Sequence, residues 1–115
     1  MSAYWRENQA YVREQLGTAT LWVAERSTTI IAFCGLIDHY IAGFFVAEQA
    51  RGCGIGTALL QAIQADYPVL TLTVYQQNKV ASSFYQRHGF VVLTSGRDQA
   101  TGMLEDTMGW RGAVK

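Results

Sequence analysis

Three glycines at alternate positions, Gly52, Gly54 and Gly56, separate an apolar run at 40–46 from a segment in which Ile55, Leu59, Ala62 and Ile63 recur at helical spacing. A strand, a glycine-rich turn and a helix N-terminus together make a place for an anion. The first-turn N–H groups have no partner inside the helix, and the helix dipole adds positive potential at that end. Glycine lets the backbone approach a bulky polyphosphate because no Cβ stands in the way. Arg51 sets a fixed cation beside the same spot. The stretch reads as a phosphate cradle. A Walker-type loop is excluded, since no Gly-Lys-Ser/Thr follows, and the βαβ unit with an acidic ribose ligand that a dinucleotide site needs is also missing.

Other side chains could move protons. The Tyr85 phenol, with an ordinary pKa of about 10, can donate to a forming anion without ionising first. Glu25, Asp38, Glu48, Glu105 and Asp106 are the available carboxylates, most of them read as solvated surface charge. Asp106 alternates with Leu104, Met108 and Trp110, is expected to face inward, and is the favoured base. His39, at a turn between strands, could accept a proton near neutral pH. Cys53 lies near a helix N-terminus, which lowers a thiol pKa; its side chain reads as incidental. Tyr40 and Tyr75, at strand ends, could line an acceptor pocket.

The elements that must position these groups follow from pattern. Residues 3–16 are expected to form a helix with Tyr4, Trp5, Tyr11, Val12 and Leu16 on its apolar face and Gly17 as cap. Segments 20–25, 29–37 and 40–46 read as strands on short polar connections, an antiparallel meander. The helix 55–66 stops before Pro68, and the β-branched run 69–75 should pair in parallel with 40–46 through a right-handed crossover. Asn78 caps a second helix, 79–88, which Gly89 ends. In that helix Phe84, with Val80, Ala81 and His88, is expected in the core. Strands at 90–94 and near 103–110 complete a single α/β domain with a mixed sheet and helices on both faces.

Composition narrows the function. Nine basic and nine acidic residues cancel, so nothing recommends nucleic acid or an anionic membrane as partner. Half of the 115 residues are hydrophobic, yet no apolar run approaches the length of a membrane span and the N-terminus lacks signal-peptide form. Cys34 and Cys53 lack CxxC spacing and suggest reduced thiols in a cytoplasmic protein. With only His39 and His88, no metal site is expected.

The motif R-G-C-G-I-G-T-A-L-L at 51–60 closely resembles the acetyl-CoA pyrophosphate loop of the GCN5-related N-acetyltransferases, the GNAT superfamily. A second match lies at 78–90, N-K-V-A-S-S-F-Y-Q-R-H-G-F, with an Asn cap, small residues, an aromatic-Tyr pair and Gly-Phe. The likeness runs from residue 4 to the end and is strongest to small bacterial members with V-Y-Q-x-N-x-x-A-x-x-F-Y-Q. It implies that the amides of Arg51, Gly52, Cys53, Gly54, Ile55, Gly56 and Thr57 bind the acetyl-CoA pyrophosphate. It implies further that strand 40–46, near Phe45 and Val46, pairs with the pantetheine arm where it splays in a V from strand 69–75. Asn78 would touch that arm, and Tyr85 would protonate the departing thiolate while an amine attacks directly. The acceptor is expected to be a primary amine, on a protein lysine or N-terminus or on a small molecule.

Two departures stand out. Relatives usually begin with a strand and a helix that this reading lacks, which would leave strand 20–25 as an edge for a second copy to cover in a homodimer. Many relatives also place a Glu five residues before the Asn, where this chain has Thr73, which cannot act as a base at neutral pH. An acyl-CoA-binding module without turnover is the competing reading, and a nucleotide-phosphate binder unrelated to CoA is a third.

Overall fold

The computed structural model describes residues 2–6, 9–52 and 54–112. The chain is an α/β protein with two compact units, Met1–Tyr67 and Pro68–Lys115. The first carries β1 (Ser2–Arg6), β2 (Gln9–Leu16), β3 (Ala19–Arg26), β4 (Thr29–Ile37), β5 (Tyr40–Val46), a 3-10 turn at Glu48–Ala50 and α1 (Ile55–Asp66). The five strands form an antiparallel meander in which each pairs with the next. Period-two burial of Thr20, Trp22 and Ala24 on β3, continued by Cys34 and Leu36 on β4, gives one apolar face. On α1, Ile55, Leu59, Leu60 and Ile63 are buried, and the helix packs on β3, β4 and β5. Each such aliphatic side chain contributes about 1.5–3 kcal/mol by leaving water.

The expected helix at 3–16 is two strands instead. Residues Gln9–Leu16 run beside Ala19–Arg26 over eight paired positions, joined by a turn at Gly17-Thr18. Gly17 has φ +64 and so opens a hairpin where a helix cap was expected. A helix of that length is marginal by itself, below about 12–15 residues in water. A full antiparallel ladder satisfies every other backbone group along 9–16 and outweighs the local pattern. One consequence follows for the sheet. Strand β3 lies between β2 and β4, so the edge expected at 20–25 is filled by the chain itself, and the case for a second copy covering it lapses.

The junction of β2 and α1 carries a charge pair. Arg13 donates from Nη1 to Asp66, and its guanidinium lies 5.9 Å from the Trp22 ring centre. An aspartate at a helix C-terminus faces the negative end of the dipole, and Arg13 offsets it. Deep in this unit, burial pushes the Cys34 thiol up to about 12, so it stays protonated and inert.

The second unit carries β6 (Val69–Tyr75), α2 (Lys79–Arg87), β7 (Val91–Arg97) and β8 (Leu104–Arg111). The last strand inserts between the other two, pairing antiparallel with both. Leu70, Leu72 and Val74 of β6 and Met108 of β8 are buried with Phe90, which faces Tyr85 edge-on at 5.5 Å. Gly89, at φ +92, ends α2, and the Phe90 N–H returns to the Tyr85 carbonyl at 3.0 Å. A Cβ at Gly89 would also come within 3.0 Å of the Trp110 ring. The expectation that Val80 and Phe84 enter the core needs correcting. Val80 is 84% exposed and Phe84 is half-buried against His88, whereas Tyr85 is the buried residue of the helix. Among the described residues no helix is long and apolar enough to cross a membrane.

Two predictions follow from the backbone and the packing. The β3–β4 turn places Ser27 and Thr28 at φ 50 and 69, a conformation that Asn-Gly adopts with far less strain. The double substitution Ser27→Asn/Thr28→Gly should raise stability by about 1 kcal/mol, read as the urea midpoint at unchanged m-value. His88, lowered from its usual pKa first by burial and then by Arg87, takes up protons more readily unfolded than folded. Stability should therefore fall as pH drops through about 6.5, and His88→Gln should flatten that part of a melting-temperature profile.

Candidate active site

The glycine loop is built as an open helix end. Strand β5 finishes at Val46, whose carbonyl accepts from Arg51 Nε at 3.2 Å, while the Arg51 N–H returns to Glu48 at 3.2 Å. These bonds hold the loop's entry against the strand that precedes it. Gly52 and Gly54 take φ +81 and +79, and a Cβ at either would meet nothing within 4 Å. The glycines are therefore required by conformation, and the space above them is open to whatever approaches the main chain. Gly54 is the N-cap of α1 and, having no side chain, supplies no cap of its own to the first turn at Ile55, Gly56 and Thr57. Cys53 lies outside the described residues. Phe45 is 45% exposed and packs its ring 5.5 Å from Phe33, with Val46 half-buried beside it.

In the second unit, Asn78 caps α2 as its position in the sequence indicates, its Oδ1 accepting from the Ala81 N–H at 3.1 Å. Seven residues on, two helical turns, Tyr85 is held between Phe84 and Phe90. Tyr40 stands 39% exposed at the start of β5 in the first unit. Tyr75 ends β6 in the second, and its hydroxyl donates to Asp98. That bond raises the Tyr75 phenol and, with the Ala100 N–H at 2.9 Å on the other oxygen, holds the Asp98 carboxyl below its usual range.

Asp106 sits on β8 opposite Val74 of β6 and Ser95 of β7. Its Oδ1 accepts from Ser95 Oγ at 2.7 Å and Gln76 Nε2 at 2.8 Å. Both bonds favour the charged form, the Ser95 contribution being the larger, and Lys79 adds to them, so the carboxyl lies below its ordinary value. The carboxylate thereby joins β8 to β7 and to the residue that follows β6. Thr73 pairs with Thr107 on the same ladder. Asp98, Gln76 and Ser95 escape a reading of the sequence. The one signal for Asp98 is the turn composition of D-Q-A-T-G, an Asx-turn pattern.

A domain described as "Acetyltransferase (GNAT) domain" matches residues 17–92, and the chain belongs to that family of acetyl-CoA-dependent N-acetyltransferases. It is similar to the peptidyl-lysine N-acetyltransferase YiaC of Escherichia coli, 36% identical over 93% of this chain and 75% of YiaC. It is also similar to the peptidyl-lysine N-acetyltransferase YjaB of the same organism, 36% identical over 86% of this chain and 67% of YjaB. The solution structure of apo YjaB superposes with a TM-score of 0.71 at 29% identity, and the chain spans 65% of it. A GNAT acetyltransferase of Elizabethkingia anophelis with acetyl-CoA bound shares the fold, at a TM-score of 0.79 and 16% identity over 92% of this chain and 99% of that one.

The φ of Gly54 sets a test of the loop. Gly54→Ala should cost about 1–2 kcal/mol of stability from the left-handed backbone alone, since a methyl there meets no neighbour. If the amides of α1 hold a phosphate, the same variant should also weaken acetyl-CoA, read as the loss of ligand-induced thermal shift relative to wild type.

Proposed function

We infer that the protein transfers the acetyl group of acetyl-CoA to the side-chain amine of a protein lysine. The observation that carries this reading is the glycine-capped N-terminus of α1, bounded by left-handed Gly52 and Gly54 with space above both and anchored through Arg51 to the end of β5. That arrangement suits a diphosphate, and a GNAT acetyltransferase of the same fold has acetyl-CoA bound. Similarity to two peptidyl-lysine acetyltransferases supports lysine as the acceptor.

The chemistry asks little of the protein beyond placement and two proton movements. The amides from 51 to 57 hold the pyrophosphate, and the β5 main chain near Phe45 and Val46 receives the pantetheine amides. A lysine amine is about 0.1% neutral near pH 7.4, and only that form attacks the thioester carbon. The tetrahedral oxyanion is stabilised by a backbone N–H. It collapses with cleavage of the C–S bond, and the Tyr85 hydroxyl delivers a proton to the thiolate. Asn78 fixes the first turn of α2 and with it the helix that carries Tyr85. With Asp106 Oδ1 occupied by Ser95 and Gln76, and with Thr73 unable to serve, the ammonium proton leaves to water.

That shortage of a base favours one competing reading, a module that binds acyl-CoA without turnover. Release of free thiol on mixing acetyl-CoA with lysine peptides separates the two. Tyr85→Phe should lower turnover by about 10²-fold while acetyl-CoA affinity holds; turnover equal to wild type would remove Tyr85 from the mechanism.

A further inference from the structure

The β6–α2 connection and the β7–β8 turn enclose an open groove of about 420 Å³, lined by Gln76, Gln77, Lys79, Arg97 and the turn 101–104. Its two charged lining residues are both cations, and no carboxylate lines it. Three acidic groups stand near it: Glu105 follows the lining residue Leu104 on β8, and Asp98 and Asp106 are engaged. Asp98 takes Tyr75 and the Ala100 N–H, and Asp106 takes Gln76 and Ser95, with Lys79 adding a longer-range attraction. Lys79 is the first residue of α2, where the helix dipole reinforces its charge. Arg97 gives one Nη1 hydrogen to the Gly102 carbonyl, one of the five N–H donors of a guanidinium.

The wall itself is firmly built. Asp98 and Met103 close the turn through a 2.9 Å main-chain bond, the Gly102 N–H returns to Asp98 at 2.7 Å, and the Gln76 N–H binds the Leu104 carbonyl at 3.0 Å. The Tyr75–Asp98 bond ties this turn to the end of β6. A preformed groove with two cations on a fixed frame suits a carboxylate.

We propose that this groove receives an acidic side chain of the polypeptide acceptor, two or three residues from the lysine that is acetylated, and so directs the enzyme to lysines in acidic surroundings. The inference rests on the acetyltransferase reading, because the spacing is counted from Tyr85. Lys79 precedes Tyr85 by six residues of helix, about 9 Å of rise. An extended peptide advances about 3.3 Å per residue, so the axial part of that offset alone is two to three positions.

The test uses peptide pairs that differ only in Asp or Asn at the second and third positions on each side of one lysine. The kcat/KM for the Asp peptides should exceed that for the Asn peptides by about fivefold at low salt and fall toward unity at 0.5 M salt as screening sets in. Lys79→Glu should invert the preference, and Lys79→Gln should abolish it. Acetyl-CoA binding, followed by thermal shift, serves as the fold and cofactor control. Equal kcat/KM for both peptides in the wild type, or a preference that survives both Lys79 variants, overturns the proposal. Acetyl-CoA binding with no peptide acetylated overturns it while leaving the coenzyme reading standing; absence of acetyl-CoA binding removes both.

Discussion

The structure depends on one constraint: where β5 stops, the chain must turn back into a helix whose N-cap is a glycine with no side chain to close it. Two glycines in the left-handed region, at 52 and 54, make the reversal possible, and a residue with a Cβ would resist both. Arg51 reaches back to the last carbonyl of β5, so the loop is tied to the strand that sets its height. A polar capping side chain at position 54 would satisfy the amides internally and close the end to an anion. Gly54 does not. The packing beneath is the support: Ile55, Leu59, Leu60 and Ile63 fix α1 on β3–β5, so the open end stays aimed as the sheet dictates.

Local chemistry was legible where a residue's type forces its conformation. The start of α1 at Ile55 and its end at Asp66 before Pro68, the Asn78 cap and the Gly89 stop could each be read from a few neighbouring residues. The first sixteen residues could not. Tyr4, Trp5, Tyr11, Val12 and Leu16 suit either a helix face or a strand, and their fate is decided by partners further along, where Gln9–Leu16 pairs with Ala19–Arg26. Gly17 is equally at home ending a helix or turning a hairpin. That error propagated: a helix at 3–16 left β3 as an edge, whereas β2 pairs along its length.

The polar contacts of the second unit were invisible for a related reason. Tyr75 meets Asp98 across 23 residues and Gln76 meets Asp106 across 30, pairings that depend on sheet register and on β8 inserting between β6 and β7. Alternation along β8 marked Asp106 as distinct but could not reveal its hydrogen bonds from Ser95 and Gln76. Under the proposed mechanism Tyr85 would donate the proton to the thiolate, and the nucleophile would have to be delivered neutral.

The central claim is that main-chain amides at the start of α1 grip the diphosphate of coenzyme A. Calorimetric titration of the chain with acetyl-CoA measures it most directly, with ATP as the phosphate control. The account predicts saturable heat at one acetyl-CoA per chain and markedly weaker binding of ATP. No heat with any coenzyme A species, or tighter binding of ATP, would contradict it.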